Sequence, residues 1–213
     1  RALSSLVTYY WTNGNYTKVE EIMIEQLSIM ETYNGRDSEG YAQTLSNLGE
    51  LYTNIGQYEK AKNTYAAAND IYERLDVINN PVWYIQSQGG TGIVLMMQGN
   101  YQDAEKYLLH ASVLCDKYRL DGRKKGLWMG MLGITYTAMG QYNKAEKYLL
   151  EAKSRMPEND PECGKALNNI GLLYYRMGQY DKSMDYFVQA YDIKKQTLPE
   201  NHPLHGSSLS NIA

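Results

Sequence analysis

Phenylalanine is almost missing from this 213-residue chain, with one Phe against 21 Tyr and 3 Trp. Its aromatic core must therefore keep a polar rim, because every buried tyrosine has a hydroxyl to place. Cysteine is scarce too: Cys115 and Cys163 have no neighbouring histidine or second thiol in a recognisable metal or nucleophile motif. No run approaches the roughly 20 apolar residues that cross a bilayer. An excess of basic charge is also absent. Lys plus Arg number 21 and Asp plus Glu 24, a net charge of −3, which leaves no strong field for a phosphate backbone. The densest basic run, Arg123-Lys124-Lys125, reads as a solvated connection between helices. Nucleic acid and membranes are thus not expected partners. No secretory pattern opens the sequence, and reduced cysteines fit the expected cytoplasmic location. Disorder is excluded by 43% hydrophobic residues and only five prolines.

What the chain has is repetition. Gly-Asn/Gln-Tyr occurs at Gly14, Gly56, Gly99, Gly140 and Gly178, at intervals of 42, 43, 41 and 38 residues. Such a period denotes stacked supersecondary units, each packing on its neighbours. The second unit reads Leu45-x2-Leu48-Gly49-x2-Tyr52 before its turn and Tyr58-x2-Ala61-x3-Tyr65-x2-Ala68 after it. The fifth reads Leu167-x2-Ile170-Gly171-x2-Tyr174, then Tyr180-x2-Ser183-x3-Phe187-x2-Ala190. Apolar residues at steps of three and four on both sides of a glycine turn predict two amphipathic antiparallel helices per unit.

Gly49, Gly92, Gly133 and Gly171 fall inside the first helices, where glycine costs about 1 kcal/mol relative to alanine. Close helix approach is the expected compensation, with Ala61, Ala104 and Ala145 as the matching flat spots. The tyrosines after the turns, Tyr16, Tyr58, Tyr101, Tyr142 and Tyr180, are expected to wedge against the next pair. The period's surplus over 34 residues is assigned to the second helices. Asn80-Pro81, Asp160-Pro161 and His202-Pro203 are expected to open first helices.

These residues make the chain resemble the tetratricopeptide repeat family. Its Leu-Gly-x2-Tyr and Ala-x3-aromatic signature is matched in whole or in part by four of the five units, the first departing with Val7 and Val19. His202-Pro203 followed by Leu209-Ser210-Asn211-Ile212-Ala213 is similar to the kinesin light chain variant, which is widespread in bacterial signalling proteins. The resemblance implies an all-α, right-handed solenoid forming a single array over 1–213. Its units are 1–36, 37–79, 80–120, 121–158 and 159–200, with a sixth beginning at 201–213 and the array expected to be part of a longer protein.

No catalytic constellation is found, and no enzyme activity, cofactor or metal is expected. Gln88-Gly89-Gly90-Thr91-Gly92 lacks the Gly-Lys-Ser/Thr ending of a phosphate loop and lies within a predicted helix. His202-x2-His205 lacks a third ligand, and His110 reads as a packing residue. Cys115 and Cys163, on different repeats, are expected to stand beyond the roughly 7 Å Cα limit of a disulfide.

The resemblance further implies a concave binding surface lined by first helices. Carried onto this chain, it comprises Ser4, Thr8 and Trp11, then Gln43, Asn47, Glu50 and Asn54, then Ile93 and Met97. It continues with Met131 and Ile134, then Lys165, Asn169, Leu172 and Arg176. Gly89, Gly90 and Gly130 are expected to leave room along it, and the methionines suit adaptable contact. Ser4, Thr8, Asn47, Gln86 and Gly90 occupy the positions of the family's carboxylate clamp, so chaperone tails are not expected, and with only Lys165 and Arg176 basic, nor is motor cargo. The expected partner is a protein or peptide, with self-association through terminal repeats as the alternative.

Overall fold

The structure, a computed structural model, describes residues 2–75 and 81–197. The capping role given to Asn80, the His202-Pro203 opening, His202-x2-His205 and the sixth-unit segment from Leu209 lie outside those residues. Among the described residues are ten α-helices and no strand. They are α1 (Ala2–Thr12), α2 (Tyr16–Asn34), α3 (Glu39–Asn54), α4 (Tyr58–Leu75), α5 (Pro81–Met97), α6 (Tyr101–Lys117), α7 (Gly122–Ala138), α8 (Tyr142–Ser154), α9 (Pro161–Arg176) and α10 (Tyr180–Thr197).

The recurring Gly-Asn/Gln-Tyr is a complete helix–turn–helix instruction. Its glycine takes the left-handed conformation past the end of the first helix, with φ +76° at Gly56, which costs an L side chain but not glycine. The following N–H then reaches back to a carbonyl five residues earlier: Gln57 N donates to Tyr52 O at 2.8 Å and Gln179 N to Tyr174 O at 2.9 Å. That closes the helix in a Schellman-type cap. The Asn or Gln occupies the N-cap of the second helix, where the Asn15 side chain accepts from Lys18 N. The tyrosine is its first residue. First helices carry their own caps, Ser38 for α3, Asp121 for α7 and Asp160 for α9, and α5 and α9 both begin on proline as expected.

The chain forms two compact units, 1–111 and 112–213, with the boundary inside α6. In the first, Val19, Leu48, Leu51, Tyr52, Tyr65 and Val94 form one buried cluster, and Ala42, Ala68, Ile71 and Tyr72 another. In the second, Met156, Cys163, Leu167 and Ala190 pack together.

Close approach at the interior glycines is confirmed, with the expected Ala104 contributing its backbone oxygen 3.3 Å from a Cβ on Gly92, but the nearest side chain is a larger one. A Cβ on Gly92 would lie 2.7 Å from Leu108 Cγ, and one on Gly171 2.7 Å from the Phe187 ring. Gly49 meets Tyr65 and Gly133 meets Leu149 in the same way. The large residue one helical turn beyond each expected flat spot fills the notch, because a helical side chain leans back toward the N-terminus of its helix. Gly90, expected on the open face, instead makes room for the Tyr65 hydroxyl end, and Gly130 turns toward Ala152 of α8. Nor are the turn tyrosines all wedges. Tyr16 sits edge-on to Trp11 at 5.9 Å and Tyr180 edge-on to Tyr175 at 5.5 Å, both exposed and both folded back on their own hairpin.

Second helices run 17 to 19 residues in α2, α4, α6 and α10 but 13 in α8, against 16 or 17 in α3, α5, α7 and α9. The short α8 falls within the shortest repeat interval, 38 residues. Arg123-Lys124-Lys125 is not a connection but the first turn of α7. Positive charge there opposes the helix dipole. Asp121 offsets it, accepting from Arg123 N at 2.9 Å and pairing with its guanidinium at 3.1 Å, and Lys125 pairs with Asp116 at 2.6 Å.

Candidate functional site

First helices lie side by side within each unit, α3 against α5 and α7 against α9, and some of the expected site residues border hollows there. In the first unit they border two adjoining hollows. One, of about 360 Å³, is lined by Ser4, Gln43 and Asn47 with Leu3, Ile29 and Met30. The other, of about 260 Å³, is lined by Thr8, Trp11, Asn47 and Glu50 with Val7 and Met23. Asn47 stands in the wall shared by both. In the second unit Ile134, Asn169, Leu172 and Arg176 line a hollow of about 150 Å³. Small-molecule pockets span about 300–1,000 Å³, so these hollows lie at or below the lower end of that range and are large enough to receive a partner's side chains.

Asn54, Ile93, Met97, Met131 and Lys165 line none of these hollows. Ile93 and Met131 are half-buried, Met97 is 53% exposed, and Lys165 is paired with Glu162 at 2.6 Å. The hollows also contain residues that sequence reasoning omitted. Ile29 and Met30 come from the second helix α2, whose apolar residues exceed one face: Ile24 and Ile29 remain exposed although Ile22 and Met23 are buried. That surplus was the available signal.

Glu50 is electrostatically distinctive. Although the residue is exposed, partial desolvation by its neighbours pushes its carboxyl above the ordinary carboxylate value. Among the described residues its carboxylate has no ion pair or hydrogen bond. Asn47 and Gln43 likewise hold side-chain amides without a protein partner. By contrast, the polar groups between hairpins are engaged: Tyr52 OH donates to Glu20 at 2.7 Å and Tyr174 OH to Glu146 at 2.5 Å. Each of these rings also carries a lysine over its face, Lys60 at 5.0 Å and Lys182 at 5.1 Å. Burial, then the Glu20 contact, pushes the Tyr52 phenol up to about 12, so it stays a donor at neutral pH.

The remaining candidates behave as packing groups. Gln88 to Gly92 is buried inside α5. His110 is exposed on α6, edge-on to Tyr84 at 6.0 Å with Nδ1 3.2 Å from Gln88 Oε1. Cys115 and Cys163 are free and buried, and burial pushes both thiols up, away from the reactive thiolate. The described residues hold no group of three or more His, Cys, Asp and Glu suited to a metal, and none of their helices is long and apolar enough to cross a membrane.

Hairpins closed by a glycine cap, notched by an interior glycine and stacked through first helices define a helical-repeat protein. The chain belongs to the tetratricopeptide repeat family, whose models match residues 1–74, 85–158 and 164–204. No curated protein matches it. Among solved structures it is similar to a putative kinesin light chain of nearly identical TPR-like repeats from Podosopora anserina, at 18% identity and TM-score 0.76, covering 92% of this chain and 95% of that one. It is also similar to the Rap conjugation gene regulator of plasmid pLS20 in complex with the Phr* peptide, at 20% identity and TM-score 0.74, over 90% of this chain and 52% of that one. A third is the signal transduction ATPase PH0952 from Pyrococcus horikoshii, a STAND protein with a tetratricopeptide repeat sensor. Identity there is 19% and TM-score 0.79, over 99% of this chain and 31% of that one. The chain thus spans about half of the Rap regulator and a third of the ATPase.

Proposed function

We propose that this chain is a protein- or peptide-binding repeat module, the regulatory or recruiting part of a larger bacterial protein. The observation that carries the reading is Asn47, half-buried with a free amide, standing between two side-chain-sized hollows on the first-helix face. An amide so placed can hold a peptide backbone while adjacent side chains enter the hollows on either side. Extended concave faces are what stacked hairpins offer a partner, and a Rap regulator of like fold is described with a bound peptide. The STAND protein's repeats are described as a sensor, which favours attachment to an effector such as a caspase-like peptidase, a histidine kinase or a transcription regulator. Ile93 and Met97 in the first unit, and Met131 and Ile134 in the second, are proposed as apolar contacts on the first-helix face of their own unit. The whole is placed in the cytoplasm. Self-association is the second reading, favoured by the exposed Met184 and Val188 on α10.

A random peptide display library selected against the whole chain tests the first reading. Selected peptides are expected to lose about tenfold or more in affinity on Asn47→Ala and Met97→Glu, with the helical circular dichroism unchanged. A library without binders, together with a mass in light scattering that grows with concentration, overturns it in favour of self-association.

A further inference from the structure

The geometry points to the Trp11–Glu50 hollow as a subsite for a basic side chain, arginine or lysine, of a peptide laid across α1 and α3. The inference rests on the peptide-binding reading above and gives its partner a chemistry. Three observations support it. First, the hollow is lined by Val7, Trp11 and Met23, by the neutral Thr8, Thr12 and Asn47, and by a single charged group, Glu50. An aliphatic stem against apolar walls, a cation beside an indole and a carboxylate at the end match a long cationic side chain part by part.

Second, Glu50 has no cationic partner among the described residues and stands exposed at the hollow, where a guest cation can reach it. A carboxylate shielded on one side by apolar groups attracts a cation more strongly than one fully in water. Charges on the neighbouring helix α2 are engaged elsewhere: Glu20 takes the Tyr52 hydroxyl and lies 3.6 Å from Lys60 of α4, and Lys18 pairs with Glu21. Third, the unit that contains the hollow is acidic. Residues 1–111 hold 13 Asp and Glu against 7 Lys and Arg, a formal charge of −6, while residues 112–213 hold 11 against 14, or +3. The net charge of the chain conceals this division. A field of that sign draws cationic segments to the first unit and disfavours acidic ones.

Peptides from the display library, bound to the whole chain and followed by fluorescence anisotropy, provide the test. Binders are expected to carry Arg or Lys at one fixed position. Replacing an arginine there by citrulline keeps its shape and removes its charge; it should weaken binding about tenfold on the wild type and less than about twofold on Glu50→Gln. Glu50→Lys should exchange the preference for a glutamate at that position. Peptides that bind without any basic residue, or a citrulline loss that persists undiminished on Glu50→Gln, overturn the subsite and leave peptide binding intact. A library that yields no binder overturns both.

Discussion

A glycine inside a helix can be a defect or a fitted part, and two glycines of α7 separate the cases. A Cβ on Gly133 would collide with Leu149, which is fully buried, and would stand 3.3 Å from the Leu149 backbone nitrogen. One on Gly130 would meet only Ala152 Cβ, at 3.9 Å, an ordinary contact. Alanine gains about 1 kcal/mol of helix propensity at either site, but overpacking a fixed core costs about 1–3 kcal/mol. Urea unfolding is therefore expected to show Gly133→Ala destabilised by about 1–2 kcal/mol and Gly130→Ala stabilised by up to about 1 kcal/mol. If both alanines stabilise, the notch at Gly133 is looser than described. The helix that faces Gly133 was legible from periodicity; the residue filling the notch was not. Spacing gives a face, whereas the lean of a side chain along its helix selects Leu149 over Ala145.

Between elements, adjacent hairpins are tied by a repeated contact. A tyrosine near the end of a first helix donates to a glutamate on the preceding second helix, Tyr52 to Glu20 between α3 and α2 and Tyr174 to Glu146 between α9 and α8. The Glu146 contact, more than burial, pushes the Tyr174 phenol up, so it stays protonated and donating through neutral pH. A hydrogen bond to a charged group contributes about 1.5–3 kcal/mol, and part exposure of the carboxylate reduces that. Tyr174→Phe keeps the ring that stacks on Tyr186 at 5.4 Å and is expected to lower stability by about 1–2 kcal/mol in urea. An unchanged midpoint would reduce this contact to ring packing alone. Element identity was readable in advance, since the Gly-Asn/Gln-Tyr signal specifies cap, N-cap and first residue together. The basic run at 123–125 was misassigned to a connection because its charge suggests solvent, while the Asp121 cap that lets a helix begin on it precedes the run. The lining of the two hollows was legible where first helices supply it, as for Trp11 on α1 and Asn47 and Glu50 on α3. It was incomplete where α2 contributes Ile29 and Met30, since the resemblance confined the face to first helices.

For the molecule as a whole, the division of charge makes a separate demand. If the −6 of residues 1–111 draws a cationic peptide, part of the affinity is long-range and screened by salt, while the contact at Glu50 is short-range and partly dehydrated. The Debye length falls from about 10 Å at 0.1 M salt to about 3 Å at 1 M, so salt removes the first contribution and spares much of the second. For an arginine peptide on the whole chain, stopped-flow measurement is expected to show the association rate falling several-fold across that range. The ratio of its affinity to that of the citrulline peptide should fall much less. An association rate indifferent to salt would confine the electrostatics to Glu50 and deprive the acidic unit of any part in finding its partner. A citrulline ratio that vanishes at high salt would do the reverse, leaving attraction to the unit as a whole and no seat for the side chain.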